Sequence, residues 1–108
     1  MSTVHTKDIG TPHLEAAIVE PILNICINES SFFEILWKLQ MMLPINYSTI
    51  KNYLFYLIEY ELISYNGHRK IFTIDDGGFD LLKTINIEIQ QGKKEIKDII
   101  MIFEYIQD

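Results

Sequence analysis

The feature that most constrains this chain is a short change of period. From about residue 14 to residue 62, apolar residues recur at intervals of three and four, the spacing of one helix face. Then Ile63-Ser64-Tyr65 and Arg69-Lys70-Ile71-Phe72-Thr73 read as two strands, rich in branched and aromatic residues. Asn66-Gly67 lies between them. This dipeptide is the strongest short hairpin signal, because a type I′ turn needs positive φ at both central residues. Helical spacing returns after Thr73. A chain of 108 residues supports one domain, so helices and a single hairpin must share one core.

The helices carry their own start and stop signals. Residues 1–10 are polar, without periodicity, and read as a loose tail. Thr11-Pro12 reads as an N-cap followed by the first helical position, where the missing proline N–H costs nothing. Leu14, Ala17, Ile18, Ile22, Ile25 and Cys26 extend this helix to about Asn28. Pro21 inside it implies a kink; the alternative is a short helix ending at Glu20 and a second beginning at Pro21. Ser31-Phe32-Phe33-Glu34 is a capping box. It opens a helix over 32–42 with Ile35, Leu36, Leu39 and Met42 inward and Glu34 and Lys38 outward. Leu43-Pro44 ends that helix. Asn46 caps a third, over 47–62, with Ile50, Tyr53, Leu54, Leu57, Ile58 and Leu62 along its buried stripe. Trp37 and the tyrosines read as core and rim.

Beyond the hairpin, Thr73 reads as an N-cap, with Asp75 and Asp76 in the first turn where the helix dipole favours negative charge. Residues 74–107 then follow helical spacing. Leu82, Ile85, Ile89, Gly92, Ile96, Ile99, Phe103 and Ile106 are separated alternately by three and four residues, a heptad seam. Gln91-Gly92-Lys93 could be a helix end. The phase is kept across it, which favours one continuous helix. Roughly 30 residues at 1.5 Å each would reach about 45 Å. A globule of the remaining size cannot cover that length, so the seam is expected to pair with a second copy. Packing on the protein's own first helix is the alternative.

Composition narrows the function classes. With 9 Lys+Arg, 15 Asp+Glu and a net charge of −6, the chain does not suit coating nucleic acid over its whole surface. Hydrophobic residues at 48% mark a globular chain rather than a disordered acidic one. One Cys cannot form an internal disulfide, so a reducing, cytoplasmic location is expected. No apolar run approaches the roughly 18 residues of a membrane span, and the first residues lack a signal-peptide order. His5, His13 and His68 lack ligand spacing, and Cys26 reads as a small core residue. No phosphate-binding loop or nucleophile–base pattern is present. The expectation is no enzyme, no cofactor, no metal and no evident small-molecule ligand.

The order helix, helix, turn, helix, hairpin, helix points to a mainly α fold with a small β-hairpin: a winged helix-turn-helix. In that motif the third helix enters the DNA major groove and the wing reaches the flanking backbone. Residues 30–74 hold four basic and three acidic residues, a balance of +1, while the remainder of the chain stands at −7. The acid therefore lies outside the reading head. Tyr47, Ser48, Lys51, Asn52 and Phe55 share one side of helix three, opposite Ile50, Leu54 and Leu57. Asn52 suits adenine, and Lys51 suits guanine or phosphate. Lys38 and the wing residues His68, Arg69 and Lys70 complete the candidate DNA-binding set.

Ile35-Leu-Trp-Lys-Leu, Tyr47-Ser-Thr-Ile-Lys-Asn-Tyr-Leu-Phe-Tyr-Leu, Leu62-Ile-Ser-Tyr and Ile71-Phe-Thr-Ile-Asp-Asp-Gly-Gly-Phe-Asp-Leu-Leu together resemble small archaeal or archaeal-virus winged-helix regulators. Tyr53-Leu54 and Leu57 match that family's Tyr-Leu-x-x-Leu recognition helix. Phe72-Thr73-Ile74-Asp75-Asp76-Gly77 and Leu81 match its motif after the wing. The chain differs in having Glu61 where the family usually has Gly, and in a less basic recognition helix. The resemblance implies transcriptional regulation through double-stranded DNA and dimerisation by a long C-terminal helix, here through Leu82, Ile85, Ile89, Ile96, Ile99, Phe103 and Ile106. It divides the chain into a tail at 1–10, a winged-helix domain at 11–78 and a dimerisation helix at 79–108. A protein-interaction module is the alternative function, drawing on the acidic flanks and the aromatic residues Tyr47, Phe55, Tyr56 and Tyr60.

Overall fold

The computed structural model describes residues 13–92 and 94–102. It contains four α-helices and two small antiparallel sheets of two strands each. The order is β1 (His13–Glu15), α1 (Ala16–Ile25), α2 (Phe32–Met42), α3 (Tyr47–Glu59), β2 (Ile63–Asn66), β3 (Ile71–Ile74), α4 (Asp76–Gln90), a 3-10 turn (Ile96–Asp98) and β4 (Ile100–Ile102).

The middle of the chain follows its local signals closely. The Ser31 hydroxyl accepts the Glu34 N–H at 3.2 Å, and the Glu34 carboxylate accepts the Ser31 N–H at 2.8 Å, closing the capping box. Asn46 caps α3 by accepting the Thr49 N–H at 2.8 Å. The third helix stops at Glu59 rather than residue 62. Its end is a Schellman motif: the Glu61 N–H reaches the Ile58 carbonyl and the Leu62 N–H reaches the Leu57 carbonyl, both at 2.9 Å. That geometry puts Glu61 in the left-handed region, at φ 60°. Ile35, Leu39, Ile50, Leu54 and Leu57 are buried in the main core with Ile22, Leu23 and Cys26 of the first helix and its end.

The hairpin forms with a longer turn than expected. Asn66 pairs with Ile71, so residues 67–70 make a four-residue loop, not a two-residue type I′ turn at Asn66-Gly67. Asn66 works through its side chain, whose oxygen accepts the His68 N–H at 2.9 Å and the Arg69 N–H at 3.0 Å. Lys70, at φ 58°, closes the loop through its N–H on the Asn66 carbonyl at 2.7 Å. The longer loop sets Ile63 opposite Ile74 and Tyr65 opposite Phe72. A two-residue turn would have set Ile63 opposite Lys70. The other edge of β3 bonds Ser30 in both directions, Ser30 N–H to Phe72 O at 3.1 Å and Phe72 N–H to Ser30 O at 2.7 Å. The hairpin is thereby tied to the connection between α1 and α2.

The ends of the described chain depart from the sequence reading. His13–Glu15 is a strand, not the first turn of a helix, and α1 begins at Ala16. Leu14 satisfies either period, and its pairing with Met101 settles it as strand. Thr11 and Pro12 lie outside the described residues. The first helix runs unbroken through Pro21 to Ile25, so the two-helix alternative fails. Thr73 sits within β3, and Asp75 takes the N-cap position of α4.

The largest correction concerns the C-terminal helix. Helix α4 ends at Gln90, and Gly92 adopts φ 71°, the left-handed conformation of a helix terminus. The chain then folds back, and β4 pairs antiparallel with β1 as His13↔Ile102, Leu14↔Met101 and Glu15↔Ile100. The heptad residues within the described range are spent inside one chain. Leu82 is buried in the main core, while Ile85 and Ile99 are buried together around Ala16, with Ile89 and Ile96 packed against them. The expected coiled-coil seam is therefore not an exposed dimerisation face along Leu82, Ile85, Ile89, Ile96 and Ile99. Phe103 and Ile106 lie outside the described residues. The phase across Gly92 is kept because both sides of the turn fill one small core, not because the helix continues.

Candidate nucleic-acid interface

Helix α3 has a clear inner and outer side. Ile50, Tyr53, Leu54 and Leu57 are buried, while Tyr47, Ser48, Lys51, Asn52 and Phe55 are exposed. The five candidate contact residues thus stand together on the outside, as their spacing requires. Ile58, expected inward, is 37% exposed and joins that outer side. The buried side is anchored at mid-helix by Tyr53, whose hydroxyl accepts the Glu15 N–H at 3.0 Å. Burial pushes the Tyr53 phenol up, the Glu15 N–H bond opposes this, and the Glu15 charge adds to it.

The cations are fewer in effect than in number. Lys51 holds its ammonium 5.7 Å from the centre of the Tyr47 ring, a cation–π contact that keeps it over the N-terminal part of α3. Arg69 turns away from the turn tip and forms a two-pronged pair with Glu29, at 2.9 and 3.1 Å. Both partners are largely exposed, so the pair adds little stability, but it cancels a charge assigned to the wing. Lys38, Lys51 and Lys70 are exposed and have no ion-pair partner among the described residues.

The sequence reading named Tyr47 and Phe55 as aromatic residues but missed the groove that they share with rings from α2 and the hairpin. Phe32, Phe33, Tyr47, Phe55, Tyr65 and Phe72 line a groove of about 540 Å³ between the start of α2, the outer side of α3 and the hairpin. Lys51 and Lys70 also line it. The Phe32 ring meets Tyr47 edge-on at 5.3 Å, and Tyr65 lies 4.6 Å from Phe72. On α2, Phe33, Trp37 and Met41 form a second apolar stripe at intervals of four, and all three are exposed. Trp37 is 64% exposed, not core or rim, and Met42, expected inward, is 55% exposed. The four-residue interval was a visible signal. Helix α2 carries apolar residues on two faces, and only one of them can meet the core.

Two remaining groups have structural roles. Cys26 is fully buried, and burial pushes its thiol up to about 12. Asp75 accepts the Ser64 hydroxyl at 2.7 Å on both oxygens, linking the start of α4 to β2. Among the described residues, no group of three His, Cys, Asp or Glu side chains could hold a metal ion, and no helix is long and apolar enough to cross a membrane. Comparison with protein-family models, with curated proteins and with solved structures finds no match.

Proposed function

We propose that this protein binds double-stranded DNA as a winged helix-turn-helix, with the first half of α3 in the major groove and the β2–β3 hairpin as the wing. The observation that carries the reading is the exposed set Tyr47, Ser48, Lys51, Asn52 and Phe55 on a capped helix, beside a hairpin whose position is fixed by the Ser30–Phe72 bonds. An α-helix with its side chains fits the major groove, and Asn52 and Lys51 have the donor patterns that read adenine and guanine. The left-handed Glu61 adds support, since it falls where winged-helix regulators usually place glycine.

The charge pattern sets the expected strength. Two free cations on this side, Lys51 and Lys70, give a log–log salt slope of about −2 per chain, at about −0.9 per phosphate neutralised, because Lys38 stands on the α1 side of α2 near Glu20. Arg69 is excluded because Glu29 already neutralises it. A random-site selection followed by fluorescence anisotropy with the recovered duplex tests this. Lys51→Ala combined with Asn52→Ala is expected to weaken binding by about tenfold to a hundredfold, while Arg69→Ala changes it less than threefold. The reading fails if no duplex binds more tightly than the micromolar range at low salt.

A second reading, a protein-interaction module, is favoured by the Phe33, Trp37 and Met41 stripe. It predicts a complex weakened by Trp37→Ala and indifferent to Lys51→Ala.

A further inference from the structure

We propose that the groove between α3 and the hairpin binds a small aromatic anion, of the aryl-carboxylate class. Four observations define the ligand. Six rings line the groove, so its walls suit a planar apolar body through offset or edge-on stacking. Leu54 and Phe72 are buried beneath the exposed rings, which gives the groove a dry floor. The charged residues in its lining are Lys51 and Lys70, with no carboxylate beside them, so an anionic group on the ligand would meet two ammonium groups. Its volume of about 540 Å³ lies within the roughly 300–1,000 Å³ typical of small-molecule sites.

Charge and shape together favour a ligand that is both planar and anionic. A neutral apolar ligand would use the rings and leave both ammonium groups unanswered. A second copy of the chain carries a net charge of −6. On α4 its Asp80 stands beside the exposed Phe79, so a second copy is the competing occupant, and the sedimentation arm of the test decides against or for it. A planar anion answers both features at once.

Tyr47, Lys51 and Phe55 belong to this groove and to the proposed DNA face. If the DNA reading holds, an occupied groove and a bound duplex exclude one another, which would make the ligand an effector. Ligand binding itself does not rest on that reading.

The test uses the full-length chain, 15N-labelled, titrated with 2-naphthoate and with neutral 2-naphthalenemethanol. Isothermal titration gives the affinities, and amide shifts give the location. The expected result is saturable one-to-one binding, with 2-naphthoate at least about tenfold tighter than the alcohol, since charge-assisted contacts are worth roughly that factor. Lys51→Met with Lys70→Met should bring the two affinities within about twofold, while Phe55→Ala weakens both by about tenfold. All three side chains are exposed, so the variants are expected to fold, and circular dichroism checks this. The proposal is overturned by equal affinities for the two probes, by shifts centred away from α3 and the hairpin, or by no saturation up to about 5 mM. It is also overturned if sedimentation shows a dimer that Phe55→Ala dissociates, because a second copy then fills the groove. With 2-naphthoate bound, failure to displace duplex leaves the ligand site standing and removes only its effector role. Absence of any duplex binding removes the DNA reading alone.

Discussion

The head formed by α2, α3 and the hairpin contrasts with the terminal ribbon formed by β1, β4 and the end of α4. The head is held by short-range devices: a capping box at Ser31, a side-chain cap at Asn46, a Schellman motif at Glu61 and an Asn66 side chain that organises its own turn. Each links residues two to five positions apart, so each is visible in a few consecutive letters. The ribbon is held by Leu14 against Met101 and by Ile85 against Ile99 and Ala16. Nothing local in the chain announces those contacts. A heptad period states which residues share a face; it does not state which surface covers that face.

The strongest break of this comparison is Ile85→Ala. Ile85 is 2% exposed in the small core under the ribbon, so its truncation should cost about 3 kcal/mol of folding stability, seen as a lowered urea midpoint. Sedimentation should show no change in association. A variant that is equally stable but alters the oligomeric state would return the seam to an intermolecular role.

Next in size is an alkaline effect in the main core, at the end of α1. The Cys26 thiol rises from its ordinary 9.0 to about 12 because burial penalises the thiolate. The unfolded chain therefore loses the proton first. Stability is fully present below pH 9 and falls as pH rises towards 12, by at most about 1.4 kcal/mol per pH unit for this one proton. Tyr53 is raised in the same direction, so its loss adds to the fall. Urea titrations between pH 8 and 11 should show the decline, shallower in Cys26→Ala. Reaction of the native thiol with Ellman's reagent at pH 8 as fast as in urea would contradict the burial.

The smallest effect sharpens the head. Glu61 occupies the left-handed region without the freedom of glycine. Glu61→Gly should therefore raise stability by about 0.5–1 kcal/mol, against the usual direction of a glycine substitution. A loss of stability would mean that the Glu61 side chain contributes more than its backbone strain costs.

Much of the head was legible from sequence. Helix α2 falls at the residues that its capping box and Leu43-Pro44 delimit, and α3 begins where Asn46 says it must. The outer set on α3 follows from the buried Ile50, Leu54 and Leu57. Three things were not legible. Asn66-Gly67 marked the hairpin but not its register, because pairing Tyr65 with Phe72 and Ile63 with Ile74 outweighed the shorter turn. Arg69 counted as a wing cation because Glu29 is 40 positions away in the chain. Gly92 kept the phase of a continuous helix while ending it. Gly78 shows the same limit: an added Cβ would lie 2.3 Å from the Leu62 carbonyl, a contact that spacing alone does not reveal.

The pairing of β1 with β4 also orders events during synthesis. The caps and turns of the head form between residues close in the chain, and its longer bonds, Ser30 with Phe72, can close once the hairpin leaves the ribosome. The strand at His13–Glu15 must wait for Ile100–Ile102, and closing so long a loop is slow compared with forming a cap or a helix. Until then the small core around Ala16 and Ile85 lacks the cover of Ile99. The ribbon is the clasp of the molecule, formed last, and its opening would free both ends of the described chain while leaving the head of α2, α3 and the hairpin assembled.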